Sequence, residues 1–201
     1  MLVLLRHGEA TANAAGLLLG RSDVALTERG QQQAAALGAA LGPVVSVRSS
    51  PLRRALDTAA ALSLSVPVVV DERWVEVDYG EHEGQALGDV PAEVWRQWRS
   101  DPNFTPVGGE SLASVAERVR GACEELFFDK ESAARRSDGD AVVVSHVSPI
   151  KAAVAWALGT DEELAWRLHL STGSITRIGW GTDSPVLHSF NEVAAGARGR
   201  P

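Results

Sequence analysis

Four residues near the amino terminus carry the first chemical signal: Arg6-His7-Gly8-Glu9, directly after the apolar run Leu2-Val3-Leu4-Leu5. An unbroken Leu/Val run of this length reads as a short strand buried on both faces. A strand that ends in a turn at Gly8 puts Arg6 and His7 at the carboxyl edge of a sheet, where open α/β folds bind ligands. A histidine so placed can act as a nucleophile on phosphorus, while the arginine forks two hydrogen bonds onto phosphate oxygens. A strand-end histidine satisfied by a backbone carbonyl accounts for the same four residues equally well.

Further segments follow in order. Asn13 stands six residues after His7, and then come Gly20-Arg21-Ser22-Asp23 and Leu26-Thr27-Glu28-Arg29-Gly30. Beyond them lie Ser49-Ser50-Pro51-Leu52-Arg53-Arg54-Ala55 and Val75-Glu76-Val77-Asp78-Tyr79-Gly80-Glu81-His82-Glu83-Gly84. A second apolar run, Ala141-Val142-Val143-Val144-Ser145, ends in His146. This ordered set resembles the histidine phosphatase superfamily, the phosphoglycerate-mutase-like group, over roughly residues 1 to 160.

The resemblance implies a metal-free, cofactor-free phosphomonoesterase acting through a phosphohistidine on His7. Arg6 and Arg54 would be the guanidinium clamps, and His146 would donate a ring N–H to a phosphoryl oxygen. Asn13, Arg21 and the backbone N–H of Val147 would add substrate contacts, and Glu76 would protonate the leaving alkoxide. The family spacing assigns the clamp to Arg54 and leaves Arg53 as a solvated helix residue. Glu9 orients the neighbouring loop or forms a salt bridge. Of the crowded acids Glu72, Asp78, Glu81 and Glu83, most are expected to be solvated. His82 stands where relatives often have tryptophan and is expected at the surface. Leu19 replaces a frequent polar residue, and Val147 a frequent glycine.

A phosphoglycerate-type mutase uses the same site. Mutases of the family carry a longer insertion after the glutamate motif, with extra basic residues. The stretch from Gly84 to Gly108 is short here, with Arg96 and Arg99 its only basic side chains, which favours hydrolysis of small phosphorylated metabolites. Pro106-Val107-Gly108-Gly109-Glu110-Ser111 weakly resembles a pattern of small-substrate phosphatases, among them those acting on ribazole phosphate. A non-catalytic phospho-ligand binding module of the same fold is a third reading, which turnover of any phosphomonoester would eliminate.

The elements that must position these residues alternate between strand and helix. Thr27 is placed to cap a helix running to about Leu41. A strand follows at Val44–Val47, a helix from Arg53 to about Leu64, and a strand at Val66–Val70. Pro91 to Arg99 reads as a helix with Trp95 and Trp98 on one face, and Ser111 caps a helix to about Phe128. Arg135 to Asp140 is a polar loop, and Pro149 suits the first turn of a helix to about Leu158. Asp161 begins a short helix. Gly173 to Phe190 reads as an antiparallel hairpin turning at Gly181 to Pro185. The fold class is α/β: a three-layer α/β/α sandwich with a mostly parallel mixed sheet, phosphoglycerate-mutase-like. Residues 1–193 are read as one domain and 194–201 as a flexible tail.

Composition narrows the partners. The chain has 201 residues, 45% hydrophobic and 22% charged, and a formal charge of −7. An acidic chain is poorly suited to nucleic acid, whose phosphates are bound by basic faces. The single cysteine, Cys123, precludes an internal disulfide. With no apolar run of leader or membrane-spanning length, a cytoplasmic, non-membrane location is expected. His169 and His188 are not spaced with carboxylates as metal ligands would be. The expected partner is a small phosphorylated metabolite, with self-association left open.

Overall fold

The computed structural model describes residues 1–128, 138–181 and 184–193. Six strands form one sheet: β1 Leu2–Arg6, β2 Val44–Ser49, β3 Val68–Val70, β4 Asp140–Ser145, β5 Ser174–Trp180 and β6 Pro185–Val193. Their spatial order is β3-β2-β4-β1-β5-β6. The first four strands in that order are parallel, and β5 and β6 add an antiparallel hairpin at one edge.

The apolar runs are continuous because both sheet faces are covered. Leu2, Leu4, Ala141 and Val143 enter a core with Val115, Val119 and Leu126 of α5 (Leu112–Phe128) and Ile150 and Ala153 of α6 (Val147–Leu158). The alternate residues Val3, Leu5, Val142 and Val144 enter a second core. It includes Leu37 of α2 (Glu28–Ala39) and Ala55 and Ala59 of α3 (Arg53–Ala61). The period of two along each strand thus feeds two layers, each fully buried Leu contributing roughly 1.5–3 kcal/mol. A smaller apolar cluster joins Leu18, Val90 and Trp98 with Trp95 and Phe104, built around α4 (Ala92–Ser100).

Helix α2 starts where expected, the Thr27 hydroxyl accepting from the Gly30 N–H at 3.0 Å. Its first turn lies against the turn after β1 with no room for side chains. A Cβ on Gly8 would meet the Gly30 carbonyl oxygen at 2.2 Å, and one on Gly30 would meet that of Glu9 at 2.0 Å. The two glycines therefore let backbone meet backbone and hold the residues following Arg6 in place.

Pro149 lies in the first turn of α6, as expected; that helix begins at Val147, and a missing N–H is tolerated there. The structure differs from the sequence reading in several other places. Strand β3 is only Val68–Val70, and α3 ends at Ala61. A single helical turn, α1 (Thr11–Ala14), and 3₁₀ turns at Glu72–Trp74 and Gly80–His82 lie in segments read as loops. The expected tail, most of the loop before β4 and the centre of the hairpin turn lie outside the described residues. Among the described residues, no helix is long and apolar enough to cross a membrane.

Candidate active site

Strand register brings the two histidines together. Arg6 pairs with Ser145 across the parallel β1–β4 ladder, so the next residues, His7 and His146, leave the sheet side by side. The His7 N–H donates to the Ser145 carbonyl at 3.0 Å. The two rings lie 5.0 Å apart between centroids, tilted by 57°, and both are buried.

The His7 ring has a defined tautomer. Its Nδ1 lies 2.7 Å from the Gly8 carbonyl oxygen, an atom that can only accept, so Nδ1 carries the proton. Nε2 is left with its lone pair and accepts from Arg54 Nε at 3.3 Å. The carbonyl contact that offered a purely structural account of this histidine is what leaves its other nitrogen unprotonated. Burial, then the charges of Arg6 and Arg54, hold the His7 pKa well below the usual 6.5. Burial and the same positive surroundings do likewise for His146. Both rings are thus neutral at physiological pH, the form a nucleophile needs.

His146 is oriented by Ser50, whose hydroxyl oxygen lies 2.7 Å from Nε2. Ser50 Oγ also accepts from the Leu52 N–H at 3.3 Å. When the Ser50 hydroxyl donates to Nε2, the hydrogen of His146 sits on Nδ1, a buried atom with no partner among the described residues. That N–H is available to a phosphoryl oxygen. Sequence reasoning missed Ser50; its neighbours Pro51 and Leu52 in the motif were the only signal.

Arg54 is fully buried, whereas Arg53 is exposed and pairs with Asp57 at 3.4 Å, as the spacing argument expected. Two carbonyl oxygens aim the Arg54 guanidinium: Gly20 at 2.6 Å from Nη2 and Ser22 at 2.8 Å from Nη1. Those carbonyls are fixed from behind by Glu83, whose carboxylate accepts from the N–H groups of Gly20 and Ser22, all at 3.0 Å. A Cβ at position 20 would sit 2.6 Å from the Val77 carbonyl oxygen as well as 2.4 Å from Glu83 Oε2, so the close approach of backbone requires glycine. Asp23 completes the loop by capping the Arg53 N–H at 2.7 Å. Glu83, grouped with solvated acids in the sequence reading, instead organises this loop. Arg6 donates one bond to the Leu170 carbonyl at 2.5 Å, and its buried Nε has no partner among the described residues. Burial lowers the Arg6 pKa to about 10, so it remains a cation at neutral pH.

Glu76 is buried and accepts three backbone N–H bonds. Oε1 receives Val77 at 2.9 Å and Ser148 at 3.1 Å, and Oε2 receives Val147 at 3.0 Å. Two of these donors are the first N–H groups of α6, which point at the nearest anion. The expected Val147 N–H contact to phosphate is therefore corrected: that donor is engaged by Glu76. Oε1 is saturated, whereas Oε2 retains a lone pair able to carry a transferable proton. Tyr79 lies nearby, its hydroxyl hydrogen-bonded to Ser148 and its pKa raised by burial and by Glu76, so it stays protonated.

The outer residues divide. Asn13 lines a polar cleft of about 990 Å³ together with Arg6, Glu9 and His169. Its side-chain oxygen accepts from the Ala10 N–H, which leaves its amide hydrogens for a ligand. Glu9 pairs with Arg29 at 3.2 Å and accepts from Thr27. Arg21 is held by Glu110 at 3.1 Å and Asp78 at 3.7 Å. His82 is buried rather than at the surface, because the turn at Gly80–His82 tucks it against Trp98, 6.0 Å away. Cys123 is free and buried in the α5 core, and burial raises its thiol pKa. Among the described residues, no three His, Cys, Asp or Glu side chains cluster as a metal would require.

The description of the histidine phosphatase superfamily (branch 1) matches residues 2–193. This chain belongs to that superfamily. A bifunctional protein of Mycobacterium tuberculosis is 38% identical over 183 residues, 87% of this chain but 49% of that protein. The chain thus spans about half the length of the curated relatives with which it aligns in this way. Phosphoserine phosphatase 1 of Hydrogenobacter thermophilus is 35% identical over 187 residues, 88% of this chain and 85% of that one. Among solved structures, a mycobacterial glucosyl-3-phosphoglycerate phosphatase complexed with VO₃ superposes with a TM-score of 0.84 at 32% identity, covering 94% and 98% of the two chains.

Proposed function

We propose that this chain hydrolyses small phosphomonoesters through a phosphohistidine on His7. The observation that carries the reading is the tautomer: His7 Nδ1 is tied to the Gly8 carbonyl, and Nε2 presents its lone pair beside Arg54. Nε2 attacks phosphorus in line, forming the N–P bond as the P–O bond to the alcohol breaks. Arg6, Arg54 and the Nδ1–H of His146 take the charge developing on the phosphoryl oxygens, and the Asn13 amide adds a donor. Glu76, protonated on Oε2, gives its proton to the departing oxygen. Its carboxylate then takes a proton from the water that attacks the phosphohistidine, releasing orthophosphate and restoring both residues. The positive charge is supplied by guanidinium groups, so no metal is assigned a step. Arg21, engaged by Glu110 and Asp78, is assigned to fastening the loop behind Arg54.

Hydrolysis is preferred to a mutase reaction because the segment after Glu83 contributes one short helix, α4, whose basic side chains Arg96 and Arg99 are exposed. The phosphatase names of the relatives support the same choice, and the substrate class is a small phosphorylated metabolite. Rapid quenching at alkaline pH with ³²P-labelled substrate should trap label on the peptide containing His7. Label on serine, or full activity in His7→Ala, would refute the reading.

A further inference from the structure

Next to the acid lies a cavity of about 130 Å³ that the phosphoryl chemistry does not use. It opens beside Val77, Val147 and Ser148, the residues whose N–H groups hold Glu76, so it stands on the leaving-group side of the reaction. Its walls are largely apolar and aromatic: Tyr79, Trp95, Trp98 and Trp166. Trp95 packs on Trp98 at 5.3 Å and edge-on against Trp166 at 6.4 Å. Lys151, one helical turn along α6 from Val147, is half-buried and enters this wall.

Lys151 is electrically incomplete. Its Nζ donates to the Ala165 carbonyl at 2.8 Å, and among the described residues no carboxylate lies within ion-pair distance. One of three N–H bonds is used, which leaves two. Glu162 lines the same cavity from the short segment at Glu162–Arg167, without an ion pair to Lys151. A cation half-removed from water without a counter-ion is costly, and a carboxylate supplied by the substrate would offset that cost. Lys151 is also close enough to the reaction to feel the charges of Glu76 and Arg6. Glu162 is half-buried like Lys151 and is flanked by the exposed Asp161 and Glu163, so the cavity holds one cation and one carboxylate that are not paired with each other.

We propose that Lys151 is a specificity-determining residue that binds a carboxylate on the leaving group, selecting phosphate esters of alcohols that join an apolar or aromatic body to an acid. The inference rests on the phosphatase reading, with Glu76 on the leaving-group side. The reacting atoms are unchanged; the carboxylate accepts the two remaining ammonium hydrogens while the apolar body fills the tryptophan-lined space.

The test is a matched series of phenyl phosphate, 3-carboxyphenyl phosphate and 3-(aminomethyl)phenyl phosphate, with p-nitrophenyl phosphate as reference. Hydrogen bonds to charged partners lead to an expected kcat/KM advantage of about 10- to 100-fold for the carboxylate ester over phenyl phosphate. Lys151→Met should collapse that ratio towards one, and Lys151→Arg should retain part of it. Using the ratio cancels any effect of the substitution on phosphoryl transfer itself. A wild-type ratio near one, or a ratio that survives in Lys151→Met, overturns the proposal. Preference for the aminomethyl ester, lost in Glu162→Gln, also overturns it and moves recognition to Glu162. Failure to hydrolyse any of the four esters would instead defeat the phosphatase reading.

Discussion

Glu83→Ala isolates the positioning of Arg54 from its chemistry. Glu83 touches neither histidine; it holds the N–H groups of Gly20 and Ser22, whose carbonyls aim the guanidinium. Hydrogen bonds to a charged acceptor contribute roughly 1.5–3 kcal/mol each, and less at a half-exposed carboxylate. Loss of both donors' partner should therefore cost about 1–2 kcal/mol of stability, a fall of about 2–8 °C in Tm for a chain of this size. The effect on turnover should be larger. With the loop free, Arg54 loses its two fixed carbonyls, and a shift of about 1 Å in a catalytic group can reduce the rate about 10²-fold. We expect kcat/KM for p-nitrophenyl phosphate to fall about 10- to 100-fold at a temperature where the variant is folded. In an Arg54→Met background the same substitution should add little, because the group it positions is gone. Activity within twofold of wild type, or losses that multiply independently in the double variant, would refute the reasoning.

Glu76→Gln should slow the single-turnover phosphorylation step far more for alkyl phosphates than for p-nitrophenyl phosphate, by about 10²–10⁴-fold, since nitrophenolate leaves without a proton; equal losses would move the acid elsewhere. Gly30→Ala, which in an ordinary helix adds stability, should here destabilise by roughly 1–3 kcal/mol, because its Cβ meets the Glu9 carbonyl; an increased urea midpoint would contradict that packing. The histidine pair makes stability pH-dependent. Unfolded, each ring takes a proton near 6.5; folded, burial and the arginines hold both neutral well below that value. Below pH 6.5 the unfolded chain therefore binds more protons, and stability falls as the pH falls, by up to about 1.4 kcal/mol per unit for each ring. Urea unfolding at pH 7.5 and 5.5 should show the loss, and His7→Asn should reduce it; an unchanged difference would remove His7 from this account.

What the sequence revealed, and what it hid, follows from where each interaction is made. His7 and His146 were legible because each ends an apolar run, and such runs occur where a strand is buried on both faces. The choice of Arg54 over Arg53 was legible from the motif, and α3 turns Arg54 inward while Arg53 meets solvent and Asp57. The contacts of Ser50, Glu83 and Lys151 were not legible. Each meets a partner distant in sequence: Ser50 meets His146, Glu83 meets Gly20 and Ser22, and Lys151 lines a cavity with Trp95 and Trp98. His82 was misplaced for a related reason, since nothing in its acidic neighbourhood signals a turn folded under Trp98. The first N–H groups of α6 are claimed by Glu76, a carboxylate from another segment, which nothing in the residues around Pro149 signals.

The ladder that aligns Arg6 with Ser145 also has a kinetic meaning. The strands it joins are far apart in sequence, and slippage by one residue would displace His146 by about 3.3 Å and turn it to the other face. Only a stretch long enough to span β1 through β4 can hold both rings in register. Contacts between sequence-distant segments form slowly, after the loss of chain entropy has been met. Recovery of phosphatase activity during refolding should therefore lag behind the return of helix, and turnover becomes a clock for the closure of the central sheet.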